Sequence, residues 1–304
     1  MNFQKAARKI EEIISCKQIS LSVEVKEIFK DEEGAWERFQ RNEGLVDIFR
    51  IEYLSRGNSV VGFVIEPKNK TAPLPCIVYN RGGTREFGKI KQGLLFGTLA
   101  EMADWGYVVI ASQYSGNDGG SGNDEFGGGD VGDIEILYEI LKKYTAIDST
   151  RIGMMGGSRG GMMTYLMLTR VSWIKAAVVR AGVANLFRNQ RERPKMKQQH
   201  ALLFGGSREE LIKRSALYWP EKFPKDVPLL LMHGSSDWRV SPLDSIDLAR
   251  KLYLEKVPHR LVVFEGADHG LTEVREEVMR QTREWFDRFV KETNPLPNLE
   301  LHGA

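Results

Sequence analysis

Three residues of this 304-residue chain, Ser158, Asp237 and His269, have the types and the order of a nucleophilic catalytic site. A serine hydroxyl is a weak nucleophile at neutral pH, and it reacts when a histidine takes its proton and an acidic side chain orients that histidine. Ser158 stands in the sequence GGSRG of residues 156–160, which satisfies the pattern G-x-S-x-G. In that pattern a sharp turn exposes the serine hydroxyl, and the flanking glycines avoid clashes with neighbouring backbone.

The other two residues of this set follow later apolar runs of the chain. The run VPLLLMHG ends shortly before Asp237, and the run HRLVVFEG ends shortly before His269. Taken alone, Asp237 could cap the following helix, and His269 could be an ordinary turn histidine. Together with Ser158 they appear in the chain order that α/β enzymes with this serine motif use. The sequence therefore predicts a catalytic triad, and it predicts a structural hydrogen-bonding role for the nearby His233.

From Leu74 onward, short apolar runs alternate with helical patterns, which predicts an α/β fold with a mostly parallel sheet and helices on both faces. The predicted strands are LPCIVYN, YVVIASQ, RIGMMGG, IKAAVVRAG, VPLLLMHG and HRLVVFEG. Helices are predicted over residues 91–105, 131–146, 159–170 and 242–255, and from the last strand to about residue 292. The predicted triad follows three of these strands, and active residues of such sheets gather at the carboxyl ends of the strands.

The sequence before this sheet predicts an antiparallel start. The segments LVDIFRIEYLS and SVVGFVIEP flank Arg56, Gly57 and Asn58, which is the pattern of a β-hairpin. Residues 1–44 are predicted to be a helical and charged extension, because Phe3, Ala7, Ile10 and Ile14 have helical spacing. Residues 184–226 are mostly polar and helical in character. They are predicted to be an insertion or cap over the active-site edge of a single domain that covers residues 1–304.

The composition excludes several other classes of protein. The 43 Lys and Arg residues balance 41 Asp and Glu residues, so the net charge of +2 gives no field that would recruit nucleic acid or an anionic membrane. No run reaches the length of about 18 apolar residues that a membrane span needs. Cys16 and Cys76 are expected to be free thiols in a reducing compartment, which predicts a cytoplasmic protein. No metal or organic cofactor is expected, and a homo-oligomer is left open.

With these motifs in place, the chain from about residue 45 to 292 resembles the catalytic domain of the prolyl oligopeptidase family, within the α/β-hydrolase fold. The resemblance rests on five segments in order: VYNRGG, YSGNDGGSGNDEFGGGDVGDI, RIGMMGGSRGGMM, LLLMHGSSDWRVSP and FEGADHG. It implies that Ser158 is the nucleophile, His269 the general base and Asp237 its orienting acid. It also implies an oxyanion hole formed by the N–H of Arg159 and an N–H of the turn at residues 81–83, for which Gly82 is favoured.

Two features depart from that family. The large oligopeptidases carry an N-terminal β-propeller that gates access, whereas the sheet begins near residue 74 in this sequence. We therefore expect a catalytic domain without the propeller, and recognition of substrate by a propeller is not inferred. Arg81 and Arg159 stand where relatives often have tyrosine or, at the first position, histidine. An oxyanion contact from a tyrosine hydroxyl is accordingly not expected.

The predicted function is hydrolysis of a peptide or ester bond in a small molecule or short peptide, through an acyl-enzyme. Prolyl oligopeptidase-like peptidase, carboxylesterase and non-catalytic binding protein remain as alternatives, because a shared fold does not decide among them. Arg81 and Arg180 lie near predicted strand ends and are predicted to bind a carboxylate of the substrate. The alternative for these arginines is internal neutralisation by the following carboxylates: Asp124, Glu125 or Asp268.

Overall fold

The computed structural model describes residues 2–30 and 32–303, which form two compact units. The first unit comprises residues up to 124 and residues 129–152. The second comprises residues 125–128 and residues from 153 onward. Each unit has its own strands and helices, and the serine of the predicted triad lies in the second.

The first unit has an antiparallel start followed by a parallel pair of strands. Its strands lie side by side in the order β1-β2-β3-β5-β4, in which only β4 and β5 run parallel. The strands are β1 (Ile13–Ile19), β2 (Val46–Ser55), β3 (Asn58–Pro67), β4 (Leu74–Asn80) and β5 (Val108–Ser112). The helices are α1 (Phe3–Ala7), α2 (Val23–Ile28), α3 (Ala35–Leu45), α4 (Gln92–Leu94), α5 (Ala100–Asp104) and α6 (Gly132–Lys143). A π-helical turn, Leu95–Leu99, joins α4 to α5, so the helix predicted over residues 91–105 is continuous.

The predicted hairpin is formed by β2 and β3. Ser55 pairs with Asn58, which leaves Arg56 and Gly57 as a two-residue turn. Both turn residues have positive φ, 52° and 80°, as the tight turns that match the twist of a hairpin require.

The N-terminal extension differs from the predicted helix after its first residues. Helix α1 is only five residues long, and the chain then forms β1, which pairs antiparallel with β2. Phe3 and Ile10 are buried, whereas Ile14 is 55% exposed on β1. Pairing with β2 satisfies the backbone of residues 13–19, which explains why tertiary structure overrides the helical spacing there.

The second unit has a parallel sheet in which β7, β8 and β9 are neighbours. Strand β6 (Ile147–Gly157) begins in the first unit and ends in the second, where it leads to α7 (Arg159–Leu168). The other strands of the second unit are β7 (Ile174–Arg180), β8 (Leu229–Gly234) and β9 (His259–Phe264). Its further helices are α8 (Leu186–Glu192), α9 (Lys195–Phe204), α10 (Arg208–Lys213), α11 (Leu243–Leu254) and α12 (Arg275–Phe286). Every residue of β8 is buried, as expected for a strand covered on both faces.

The segment predicted to be an insertion, residues 184–226, is helical. It contains α8, α9 and α10, followed by the short 3-10 turns Ala216–Tyr218 and Pro220–Lys222. Both cysteines, Cys16 and Cys76, are free thiols. Across residues 2–30 and 32–303, no helix combines the length and hydropathy that a bilayer crossing requires.

Candidate active site

Ser158 occupies a strained turn between β6 and α7. Its backbone has φ 56° and ψ −122°, a conformation that costs a residue with a side chain about 1–3 kcal/mol and is found mainly at functional sites. Neighbouring backbone groups hold the turn. The N–H of Ser158 donates to the carbonyl of Arg180 at 2.9 Å, and its carbonyl accepts from the N–H groups of Gly161 at 3.0 Å and Val183 at 3.2 Å.

Glycines at two positions allow this turn to form. A Cβ atom at Gly156 would lie 2.1 Å from the carbonyl oxygen of Gly160. A Cβ atom at Gly161 would lie 2.6 Å from Val179 Cγ1 and 2.7 Å from Gly182 Cα. Real Cβ atoms do not approach other atoms so closely, and the GGSRGG sequence therefore reflects the tight packing of β6, α7 and the residues that follow β7.

Asp237 lies in the loop after β8 with its carboxylate buried and fully hydrogen-bonded. Its Oδ1 accepts from the backbone N–H groups of Arg239 at 2.8 Å and Val240 at 3.0 Å. Its Oδ2 lies 2.7 Å from His269 Nδ1 and 3.1 Å from His233 Nε2. Burial by itself raises the pKa of Asp237, but the hydrogen bonds from both imidazoles and from Val240 hold that pKa well below its usual value. The carboxylate is therefore ionised at neutral pH.

His269 follows β9, and its ring is oriented by Asp237. Because a carboxylate only accepts hydrogen bonds, the 2.7 Å contact places the proton of neutral His269 on Nδ1 and leaves Nε2 as a base. Among the residues that the structure describes, no hydrogen bond joins the Ser158 hydroxyl to His269. Such bonds are often long before substrate binds and tighten in the substrate complex. The structure thus brings together two of the three predicted triad residues, and Ser158 lies at the end of a strand of the same unit.

The predicted oxyanion donors lie in different parts of the chain. Arg159 is the first residue of α7, where backbone N–H groups have no acceptor within the helix. Its side chain is buried, and its guanidinium stacks over the ring of Phe126 at 4.8 Å. Gly82 lies in the loop that follows β4 in the first unit. The role of both N–H groups stays a prediction.

Arg81, predicted to bind substrate, has a fully buried side chain. Its guanidinium donates to three backbone carbonyls of the first unit, at distances of 3.0, 3.4 and 3.0 Å: Gln113, Phe87 and Arg85. The ring of Tyr114 packs against the guanidinium at 5.6 Å. These contacts fix the loop after β4, and they favour a structural role for Arg81 over the predicted binding of substrate, which is not tested by the structure.

Arg180, the second arginine predicted to bind substrate, is the last residue of β7 and is half-buried. Its carbonyl holds the N–H of Ser158. Its guanidinium forms no hydrogen bond or ion pair with any residue of the described ranges. Arg180 therefore supports the predicted nucleophile, Ser158, through its backbone and keeps a guanidinium with free donors.

One contact of the site, between His233 Nε2 and Asp237 Oδ2, is not predictable from the motifs of the sequence. His233 was predicted to form structural hydrogen bonds, but not with the acid of the triad. The sequence feature that could have indicated this contact is the spacing of four residues between His233 and Asp237, across the turn after β8. No cluster of three or more His, Cys, Asp and Glu side chains that could hold a metal ion occurs in the part of the chain that the structure describes.

A serine turn between strand and helix, followed by an acid and a histidine after later parallel strands, defines the class of α/β-hydrolases. Within that class the chain belongs to the prolyl oligopeptidase family, whose sequence model matches residues 96–293. The chain is 28% identical over 255 residues to the "Uncharacterized peptidase YtmA" of Bacillus subtilis (strain 168), covering 82% of this chain and 96% of that protein. It is 27% identical over 235 residues to the acylamino-acid-releasing enzyme of Sus scrofa, covering 70% of this chain and 31% of that enzyme.

Solved structures have the same fold. The acylaminoacyl peptidase of Pyrococcus horikoshii (orthorhombic crystal form) superposes with a TM-score of 0.72 and 22% identity, over 84% of this chain and 44% of that one. A puromycin-hydrolyzing peptidase of Mycobacterium tuberculosis gives a TM-score of 0.67 and 23% identity, over 77% of this chain and 38% of that one. The chain thus spans less than half of these larger peptidases. It is a serine hydrolase, a peptidase or an esterase, with the predicted α/β-hydrolase fold.

Proposed function

We propose that this chain hydrolyses a peptide or ester bond through a triad of Ser158, His269 and Asp237 and an acyl-enzyme intermediate. The observation that carries the proposal is the 2.7 Å contact between His269 Nδ1 and the buried, ionised Asp237. It gives His269 the tautomer of a general base. The strained backbone of Ser158 is the second support, because such strain is retained mainly where a side chain must be presented for reaction.

Acylation begins when His269 Nε2 takes the hydroxyl proton of Ser158. The Ser158 Oγ forms a bond to the substrate carbonyl carbon, and the carbonyl electron pair moves to its oxygen. When the tetrahedral intermediate collapses, the bond to the leaving group breaks and that group takes the proton from His269. Asp237 stays ionised throughout and stabilises the imidazolium.

Deacylation repeats the same proton transfers with water. His269 takes a proton from a water molecule, whose oxygen attacks the ester carbonyl of the acyl-enzyme. The bond to Ser158 Oγ then breaks, and His269 returns the proton to that oxygen. One bond is hydrolysed for each water consumed, with no change of oxidation state.

The charge that develops on the carbonyl oxygen needs donors. We propose the backbone N–H of Arg159 for this role, as the family resemblance implies, and the corresponding role of the Gly82 N–H stays a prediction from that resemblance. Loss of one such donor typically costs about 3–4 kcal/mol in the barrier. The position of Arg159 at the start of α7 supports its part of the proposal, because the helix dipole favours negative charge there.

The proposed substrate is a short peptide or a small acylated molecule. Relatives whose names describe peptidases support an amide bond as the target, and esters would react by the same steps because an alcohol leaves more easily than an amine. Of the two arginines predicted to bind substrate, Arg180 carries the proposal, because its guanidinium has no partner in residues 2–30 and 32–303. It would bind a carboxylate on the acyl side or the leaving side of the scissile bond. The free thiols Cys16 and Cys76 support the expectation of a cytoplasmic location.

The test combines labelling with turnover. A fluorophosphonate should label the wild-type protein on Ser158, located by peptide mass spectrometry, and should not label Ser158→Ala. Hydrolysis of acyl-amino-acid p-nitroanilides is then compared with that of the matching p-nitrophenyl esters. Cleavage of the anilides supports a peptidase, whereas cleavage of the esters alone supports an esterase. Labelling of a different serine would contradict the triad.

A further inference from the structure

The buried side chain of His233 contacts the same carboxylate oxygen of Asp237 that orients His269. His233 lies near the end of β8, with its Nε2 3.1 Å from Asp237 Oδ2 and 3.0 Å from the carbonyl oxygen of Val240. Its Nδ1 lies 2.7 Å from Ser245 Oγ in the first turn of α11. One imidazole thus joins the strand end, the loop that carries the triad acid and the helix that follows that loop.

The partners of His233 determine which nitrogen carries its proton. Both groups near Nε2, a carboxylate oxygen and a peptide carbonyl, only accept hydrogen bonds. Nε2 must therefore carry the proton and share it between Asp237 and Val240. The hydroxyl of Ser245 can donate, and it completes the arrangement by donating to Nδ1. A neutral His233 satisfies all of these contacts.

The Asp237 carboxylate has a donor for each of its lone-pair directions. Two backbone N–H groups bind Oδ1, and the N–H groups of two imidazoles bind Oδ2. A carboxylate has about four acceptor sites. Loss of His233 would leave one of these sites empty on the oxygen that faces His269.

We propose that His233 is a positioning residue of this hydrolase, whose Nε2–H fixes the direction of Asp237 Oδ2 and withdraws negative charge from it. This inference rests on the proposed function of Ser158, His269 and Asp237. By sharing Oδ2, His233 weakens the hold of Asp237 on a proton of His269. The ring of His269 stays aimed by the carboxylate, while Oδ2 presents less negative charge to its Nδ1–H.

The surroundings of His233 contain few other charges. Its sheet neighbour on β9 is Val263, and the residue before it, Met232, pairs with Arg180 at the end of β7. On α11, the Asp244 carboxylate is engaged away from His233 by three other groups: the N–H groups of Ala184 and Asn185 and the guanidinium of Arg188. Among the residues of the described ranges, Asp237 is the ionisable group in hydrogen-bond contact with His233.

Two substitutions separate the two hydrogen bonds of the ring. Glutamine places an N–H donor near the position of Nε2, so His233→Gln keeps the bond to Asp237 and loses the acceptor for Ser245. Asparagine places an oxygen near the position of Nδ1, so His233→Asn keeps the Ser245 bond and loses the bond to Asp237. With p-nitrophenyl acetate as substrate, we expect His233→Asn to lower kcat about tenfold. His233→Gln should stay within about threefold of wild type.

The pH profile distinguishes positioning from general support of the fold. In His233→Asn, the acid limb of kcat/KM should move to higher pH by about half to one unit, because Asp237 then holds a proton on His269 more strongly. In His233→Gln it should stay in place. A control, His259→Gln, removes a histidine of β9 whose Nδ1 lies 2.8 Å from the carbonyl oxygen of Val257, and should change neither kcat nor the limb. An unchanged limb in His233→Asn, or equal behaviour of the two His233 variants, would overturn the inference.

The wild-type protein gives a second measurement that does not require any His233 variant to fold. With ¹⁵N-labelled histidine, His233 should show the Nε2–H tautomer at neutral pH, and its Nε2–H resonance should shift as His269 takes up a proton. A proton on Nδ1 of His233, or a resonance indifferent to that titration, would overturn the inference. Turnover by Ser158→Ala at the wild-type rate would instead contradict the proposed function, so the two failures are distinguishable.

Discussion

The N–H of Ser158 donates to the carbonyl of Arg180 at 2.9 Å, so the predicted nucleophile is fixed by the end of the neighbouring strand β7. The hydrogen bond helps to maintain a backbone conformation that a serine would not adopt freely. The residue that accepts this hydrogen bond carries an arginine side chain. Support of the reactive turn and recognition of the substrate could therefore meet in one residue.

Substitution of Gly156 should disrupt this turn. In Gly156→Ala the new methyl group would lie 2.1 Å from the Gly160 carbonyl oxygen, and we expect a loss of more than about 3 kcal/mol in the free energy of unfolding, with loss of activity. Gly44→Ala is the matched control, because no atom lies within 4 Å of its Cβ position on α3. It should raise stability by about 0.5–1 kcal/mol. Chemical denaturation measures both, and equal stability of Gly156→Ala and wild type would contradict the packing described.

Asp237→Asn should preserve the fold and remove most of the activity. The amide oxygen must occupy the Oδ1 position, which accepts from two backbone N–H groups, so the NH2 group faces His269. His269 would then carry its proton on Nε2 and could not take the proton of Ser158. We expect kcat to fall by roughly 10⁴.

The matched control for Asp237→Asn is Asp268→Asn, beside His269. Its amide oxygen can still accept from the N–H of Gly270, so kcat should stay within about twofold of wild type. Steady-state kinetics on an activated ester checks both variants. Wild-type kcat in Asp237→Asn would rule out Asp237 as the orienting acid.

Arg180→Ala should discriminate between acidic and neutral substrates. If the free guanidinium binds a carboxylate, kcat/KM for N-succinyl-alanine p-nitroanilide should fall at least about tenfold more than kcat/KM for the N-acetyl analogue. Arg180→Lys should recover part of the loss. Arg191→Ala removes a guanidinium that is exposed on α8 and serves as the control. A parallel fall for both substrates would show that the Arg180 side chain does not recognise a carboxylate of the substrate.

Arg81→Ala should affect stability rather than specificity. Removal of the guanidinium takes a donor from the buried carbonyl of Gln113 and from the part-buried carbonyls of Phe87 and Arg85, and we expect a loss of about 1–3 kcal/mol in the free energy of unfolding. The ratio of kcat/KM between the succinyl and acetyl substrates should stay unchanged. A variant of wild-type stability with a changed ratio would instead make Arg81 a substrate-binding residue.

His200 should make the protein less stable in acid. Its ring is fully buried, and burial together with the nearby guanidinium of Arg214 lowers the pKa of His200 to about 4. The unfolded chain takes up a proton near pH 6.5, whereas the folded protein resists it until about pH 4. Stability should therefore fall as the pH drops through this window, by about 3 kcal/mol in all.

The variant His200→Asn isolates that contribution. Asparagine keeps an acceptor for the side chain of Gln190, which lies 3.0 Å from His200 Nδ1, and does not titrate. Urea unfolding at several pH values should give a flatter profile for the variant than for wild type. His302→Asn, on the exposed C-terminal segment, should leave the profile unchanged. Parallel profiles for wild type and His200→Asn would show that another group is responsible.

The parts of the fold that the sequence predicted are those with strong local signals. Apolar runs predicted β4 to β9. Two apolar segments that flank Arg56, Gly57 and Asn58 predicted the hairpin, because the conformation of such a turn is set locally. Strand β1 was not predicted, since its burial does not alternate between the two faces and its pairing with β2 makes it a strand. Such pairing is a tertiary effect that a helical spacing of apolar residues cannot exclude.

The candidate site shows the same division. The contact of Asp237 with His269 follows from motif and chain order, and the structure shows it. The burial of Arg81 depends on carbonyls at residues 85, 87 and 113, which no local pattern connects. The contact of the His233 imidazole with Asp237 could not be predicted, because it depends on how the loop after β8 folds back against that strand.

The close fit at Gly161 has a consequence for how this enzyme can change. At Gly161, helix α7 packs against the residues that follow β7 with no room for a methyl group. Substitutions within residues 156–161 would therefore disrupt the turn rather than reposition Ser158. We therefore expect new preferences for acyl or leaving groups to come from substitutions outside residues 156–161, such as at Arg180. A library built to retarget the enzyme should vary those positions and keep residues 156–161 fixed.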